Sequence, residues 1–141
     1  MVNWWGHSQA IDNPLTLGQL GEQWAQKEYS KRGYKVVSKN EYNKKGKQAG
    51  EIDFIATKGN NIVFVEVKTR TAGVDKFGKG VESVNLFKQS KLLMAVKMFL
   101  FRNAKYRTFR PQIDVCSIEA VDIDKFLYSV TILENVVEDW N

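Results

Sequence analysis

The stretch from Gly50 to Arg70, "GEIDFIATKGNNIVFVEVKTR", constrains the fold more than any other part of the chain. Two apolar runs flank Gly59 and Asn60, a turn-favouring pair, so the spacing predicts a hairpin with strands over "EIDFIATK" and "NIVFVEVKTR". Both strands are apolar at most positions of both faces, which places them inside a sheet. A turn centred on Gly59 and Asn60 pairs Lys58 with Asn61, Asp53 with Glu66 and Glu51 with Lys68. Side chains alternate along a strand. Glu51, Asp53, Glu66 and Lys68 therefore share one face, and Phe54, Ala56, Val63, Val65 and Val67 share the other. A loop one residue longer would shift the register and scatter the charges.

Charge inside an apolar strand is costly unless it is paired or bound to a cation. Two directly opposed carboxylates repel each other, so in a dry sheet one stays protonated or a divalent cation bridges them. Mg²⁺ and Mn²⁺ prefer carboxylate and carbonyl oxygens and keep several waters. Lys68, two residues beyond Glu66 on the same face, is placed to reach a metal-bound water or a phosphate oxygen. This set of groups suits metal-assisted phosphodiester hydrolysis, in which the metal neutralises phosphate charge and acidifies the attacking water. The other reading is a structural carboxylate–lysine cluster at a sheet end, and the D-x12-E-x-K spacing alone does not separate the two. Glu51 fits a structural role, or one supporting Lys68, better than that of a ligand.

The rest of the chain frames the hairpin. Thr16 and Gln19 form a T-x-x-Q capping box that starts a helix, with Leu17, Leu20 and Trp24 along one stripe and Gly33 at its end. "YKVVSKNEY" reads as a strand and "NKKGKQA" as a basic loop. After the glycine-rich "TAGVDKFGKG", a long helix is expected from about Val84 to Arg102, with Leu86, Leu93, Val96 and Leu100 on its apolar side. "PQIDVCSIEAV" and "FLYSVTILENV" are two further strands. The order α-β-β-β-α-β-β implies an α/β or α+β domain, a mixed sheet flanked by helices. No repeat or linker divides it. Residues 1–13 read as an extension and residues 14–141 as a single domain with an acidic end over 119–141.

The 141 residues carry a net charge of +5, unevenly spread. Residues 1–118 hold 20 Lys/Arg against 10 Asp/Glu, whereas 119–141 hold six acids against Lys125 alone. A basic body favours a polyanionic partner, because neutralising phosphates releases counterions. Lys44, Lys45 and Lys47 in the basic loop, Arg70 two residues after Lys68, and Lys88 and Lys91 one helical turn apart are the candidate phosphate contacts. A solvated helix face explains Lys88 and Lys91 equally well. No apolar run is long enough to cross a bilayer, the start lacks a signal-peptide pattern, and a single cysteine, Cys116, excludes an internal disulfide. A soluble, cytoplasmic protein is expected. Cys116 and the tryptophans fit the core, and Asp114 fits a structural strand-end role. His7 is the only histidine, so a histidine-based zinc site or triad has no support.

"GEIDFIA" followed by "VFVEVKTR" resembles the YraN family, small bacterial proteins similar to archaeal Holliday junction resolvases within the PD-(D/E)XK nuclease superfamily. The resemblance runs from about Leu17 to Ser117 and includes a G-x-x-G-E-x-x-A helix in "LGQLGEQWAQKEYSKRGYKVVSKN", "KFGKG" and "IDVCSI". It implies a restriction-endonuclease-like fold and a core of Asp53, Glu66 and Lys68. It also implies that Glu22 completes a metal site with Asp53 and Glu66. Gly18, Glu22, Ala25 and Tyr29 form a stripe whose small residues would let the helix approach the sheet, although a solvated helix edge is the plainer reading of Glu22. Ile52 stands where many superfamily members have proline, which removes no ligand. The expected function is a nucleic-acid-binding, Mg²⁺- or Mn²⁺-dependent DNA endonuclease, with branched DNA among its candidate substrates. The alternatives are a non-catalytic nucleic-acid-binding accessory module in repair or recombination, and an interaction protein with purely structural carboxylates. A homodimer follows from the resemblance alone.

Overall fold

The computed structural model describes residues 15–39, 52–73 and 86–137, with the backbone alone at 86–88. Its elements are α1 (Leu17–Lys31), β1 (Lys35–Lys39), β2 (Phe54–Lys58), β3 (Asn61–Thr71), α2 (Leu86–Arg102), β4 (Arg110–Asp122) and β5 (Leu127–Leu133). A short 3-10 turn at Ala104–Tyr106 precedes β4. This is the α-β-β-β-α-β-β order that the sequence implies. The strands form one sheet in the order β1-β2-β3-β4-β5, so β2 and β3 are inner strands as their apolar character requires. β3 and β4 are parallel and every other neighbouring pair is antiparallel. A parallel pair needs a long crossover, and α2 lies within it.

Local chemistry sets the ends of α1. Thr16 accepts from the Gln19 N–H at 3.1 Å and donates its own N–H to Gln19 Oε1 at 2.8 Å, closing the capping box. At the other end Gly33 has φ +94°, Gly33 N–H donates to Ser30 O, and Tyr34 N–H donates to Tyr29 O. That pair of bonds is a Schellman motif, which needs the left-handed backbone that glycine supplies without a Cβ penalty. Lys58 Nζ adds a cation at the same helix end, 2.7 Å from Arg32 O.

The two helices cover opposite faces of the sheet. Trp24, Ala25 and Tyr29 of α1 pack on Phe54, Ala56, Val63, Val65, Val67, Cys116 and Ile118. Leu92 and Val96 of α2 pack on Ile55, Ile62, Phe64 and Ile113, joined by Ile52 and Val137. Two expected stripes need correction. The fully buried contacts of α2 are made by Leu92 and Val96, with Leu93 and Leu100 only partly buried. On α1 the buried glycine is Gly21, while Gly18 is exposed. Strand limits also tighten. β5 begins at Leu127, because Phe126 has φ +55° in the turn before it, and β2 begins at Phe54 rather than at Glu51. The basic loop over 43–49, Glu51, His7 and the start of the long helix at Val84 lie outside the described residues.

Candidate functional site

The hairpin turn carries the register to the charged residues. Gly59 has φ +59° at the first central position, the conformation of a type II′ turn. From that turn the ladder runs Lys58 with Asn61, Thr57 with Ile62, Ala56 with Val63, Ile55 with Phe64 and Phe54 with Val65. This is the register expected from the sequence.

Asp53 departs from it. Its N–H donates to Val65 O at 2.8 Å, so Asp53 and Phe54 both face Val65, and Asp53 is not a rung opposite Glu66. Instead its carboxylate Oδ2 accepts from the Val67 N–H at 2.6 Å. A side-chain acceptor has replaced the next backbone one, as short acidic side chains can. The outcome still gathers the charges. Val67 lies between Glu66 and Lys68, so the Asp53 carboxylate is hooked onto the backbone of the very segment that bears both. Glu66 and Lys68 share a face, and Lys68 Nζ stands 3.4 Å from Glu66 Oε2. Asp53 and Glu66 are fully buried, and the Lys68 side chain keeps about a quarter of its surface open. A hydrogen bond and an ion pair hold one oxygen of each acid, and the second oxygens, Asp53 Oδ1 and Glu66 Oε1, are buried as well.

The strand face assigns the remaining candidates. Val67 packs with the α1 cluster, and Ile62 and Phe64 pack with α2. By alternation Glu66, Lys68 and Arg70 lie on the α2 face of the sheet. Glu22 is half-buried on α1, on the other side, one residue after Gly21. A Cβ built on Gly21 would fall on Thr69 Oγ1 and lie 2.7 Å from Thr69 Cγ2. Helix α1 thus sits directly against β3 one residue beyond Lys68, which is the close approach the small residues suggested. Among the described residues no three His, Cys, Asp or Glu side chains form a group that could hold a metal ion. Two buried carboxylates still fit Mg²⁺ or Mn²⁺, which are commonly bound by one or two carboxylates together with substrate phosphate and water. Lys91 is exposed on α2, one residue before buried Leu92, and so lies on the same side of the sheet as Glu66. Lys88 falls in α2 by its backbone, and Lys44, Lys45 and Lys47 lie outside the described residues.

Asp114 is structural, as the sequence suggests. Its Oδ2 accepts from Tyr29 OH at 2.6 Å, and its Oδ1 accepts from Gln112 Nε2 and Asn135 N–H, each at 2.9 Å. Burial pushes its carboxyl above the usual carboxylate range, against these three hydrogen bonds, which pull it down. Cys116 is core, its thiol pushed up to about 12 by burial. A cavity of about 510 Å³ lined by Val37, Ser38, Phe99, Arg102, Asn103, Lys105 and Tyr106 contains none of the candidate carboxylates.

Sequence reasoning passed over the neighbours of Lys68 across the sheet. In the parallel register Lys68 stands beside Ser117 and Arg70 beside Glu119, and on β5 Ser117 faces Thr131 and Glu119 faces Ser129. The only signal for them is the pairing of β3 with β4, which no local pattern announces.

Comparison with known proteins agrees with the family resemblance. A family model described as "Uncharacterised protein family UPF0102" matches residues 21–118, a span that contains Glu22, Asp53, Glu66 and Lys68. A UPF0102 protein of Caldanaerobacter subterraneus subsp. tengcongensis is 38% identical over 106 residues, 75% of this chain and 81% of its own length. One from Acinetobacter baumannii is 34% identical over 128 residues, 84% of this chain and 92% of its own, and one from Carboxydothermus hydrogenoformans is 36% identical over 110 residues, 78% and 87% respectively. No described helix is long and apolar enough to cross a membrane. The chain belongs to the UPF0102 family, which is the YraN family.

Proposed function

We propose that this protein binds DNA and hydrolyses its phosphodiester bonds with a divalent cation, as a PD-(D/E)XK-type endonuclease. One observation carries the reading. The Asp53 carboxylate is held by the Val67 N–H, between fully buried Glu66 and its ion-pair partner Lys68. Burying two acids beside one lysine is costly for stability alone. Asp53 and Glu66 are the ligands in this reading; Glu22, which α1 carries on the other side of the sheet, is not brought to them. A divalent cation bound there would neutralise phosphate charge and acidify a water. Lys68 would orient that water or stabilise charge on the phosphoryl oxygens. The element order supports the reading by fold analogy.

The test is cleavage of branched, duplex and single-stranded DNA with Mg²⁺ or Mn²⁺, for the wild type, Asp53→Asn and Lys68→Ala. Asparagine at 53 retains an oxygen for the Val67 N–H, so the fold survives. Each variant should lose activity by about 100-fold or more, and Asp53→Asn should keep DNA binding. Cleavage that persists in both variants at the wild-type rate would remove Asp53 and Lys68 from the chemistry. A non-catalytic binding module is the second reading. It is favoured by the lack of a three-donor metal group among the described residues, and it predicts binding without turnover in any metal.

A further inference from the structure

Among the described residues, α2 packs on one part of its face of the sheet. Its partners there are Ile55, Ile62, Phe64 and Ile113, at the ends of β3 and β4 away from Lys68. Further along, the same face carries Glu66, Lys68 and Arg70 on β3, then Ser117 and Glu119 on β4, then Ser129 and Thr131 on β5. The assignment of faces is fixed by packing, since Cys116, Ile118, Val130 and Ile132 all turn to the α1 side. Thr131 and Ser129 are exposed, and Ser117 is 9% exposed.

Two rungs cross this face at right angles to the strands and reach solvent on β5, where Ser129 and Thr131 are exposed. In the rung Arg70–Glu119–Ser129 the glutamate offsets the arginine. In the rung Lys68–Ser117–Thr131 no acid intervenes beyond Lys68, and two hydroxyls continue the line. We propose that the Lys68–Ser117–Thr131 rung is a phosphate-binding lane, which takes the DNA backbone phosphate next to the one at Asp53 and Glu66. This rests on the nuclease reading and extends it to a positioning role for Ser117 and Thr131. Neighbouring strands are about 4.8 Å apart, so the lane spans about 10 Å from Lys68 to Thr131. A single nucleic-acid strand rises about 3.4 Å per nucleotide, so that length accommodates the phosphate beyond the one being cleaved. Hydroxyls suit the task because they donate to phosphate oxygens without adding a charge that would compete for Glu66. The lane would fix the direction in which the strand leaves the site, across β4 and β5.

The test is binding of a fluorescein-labelled 30-nucleotide DNA, single-stranded and duplex, by fluorescence anisotropy in EDTA, beside the cleavage assay. Thr131 is exposed, so Thr131→Val and Thr131→Glu leave the core intact, and Ser117→Ala is added to Thr131→Val as a double variant. Loss of two hydrogen bonds to charged phosphate should weaken binding about tenfold or more, and Thr131→Glu should weaken it further. Ser30→Glu, exposed on α1 on the opposite side of the sheet, makes the same change in net charge and should have little effect. In cleavage, KM should rise with kcat nearly unchanged, because neither hydroxyl touches the reacting atoms. If the wild type binds and both the double variant and Thr131→Glu bind as tightly as Ser30→Glu, the lane is wrong and the nuclease reading stands. If the wild type binds neither DNA, both fail together.

Discussion

Gly21 is the residue on which the approach of α1 to β3 turns. A methyl group there would meet Thr69 Oγ1, with Thr69 Cγ2 at 2.7 Å and Thr69 Cβ at 2.8 Å. Rotating the Thr69 side chain moves the first two atoms but not its Cβ, so the helix itself must shift. In an open helix the same change would help, because alanine is favoured over glycine by about 1 kcal/mol. Packing and propensity therefore oppose each other at Gly21, and overpacking, at about 1–3 kcal/mol, is the larger. Gly18 supplies the contrast. It is exposed, and the nearest atom to a built Cβ is Thr16 Oγ1 at 3.9 Å. Urea unfolding should show Gly21→Ala destabilised and Gly18→Ala unchanged or slightly stabilised. Equal midpoints for the two variants would mean that α1 does not rest on Thr69. The sequence shows both glycines in one helix but not which of them faces the sheet, since a helix rotated by one position uses the other. Asp53 was legible as a residue that must be satisfied. Its hook on Val67 was not, because that bond forms only where the ladder between β2 and β3 gives out.

At the scale of elements, the Asp114 carboxylate ties α1, β4 and the segment after β5 together through Tyr29, Gln112 and Asn135. Asn135 adopts φ +55° and turns its N–H onto that carboxylate. Tyr29→Phe removes the bond from α1, and the loss of a hydrogen bond to a buried charged group should cost about 1–3 kcal/mol. The carboxyl is raised in the folded state, chiefly by burial. Asp114 therefore contributes its full stability below its unfolded pKa, near 4, and that contribution is lost as pH rises through the higher folded value. Asp114→Asn does not titrate. The stability difference, wild type minus Asp114→Asn, should fall as pH rises above about 4, as read from urea midpoints over a pH series. A difference that grew with pH would mean that the folded state prefers the charged form. The elements themselves were legible where a period or a cap decided them: the capping box of α1, the turn at Gly59 and the alternation of β2 and β3. In α2, "LLMAVKMFLF" is apolar nearly all round, so no period selects its buried side. The structure buries Leu92 and Val96 and leaves Met94, Met98 and Phe101 at 60%, 49% and 77% exposure. The rung from Lys68 to Thr131 joins strands far apart in the chain and has no local signature.

Across the whole molecule, the net charge of +5 says that a polyanion is attracted but not where it docks. The two faces of the sheet make that question answerable. α1 covers one face and carries Lys27, which is exposed. α2 shares the other face with Glu66 and Lys68 and carries Lys91, also exposed. If DNA lies on the α2 side, Lys91 is within its reach and Lys27 points away from it. Each phosphate contact contributes about 0.9 to the slope of log K against log salt on duplex DNA, so a lysine that makes one contact changes that slope by about 1 when it is removed. Both substitutions to alanine lower the net charge by the same amount, which cancels the diffuse attraction of the whole protein. Titrations of duplex DNA at several salt concentrations should give Lys91→Ala a slope shallower by about 1 and Lys27→Ala the wild-type slope. Equal slopes for the two variants would show that charge is read over the whole surface, and would take the α2 face out of consideration as the side on which DNA binds.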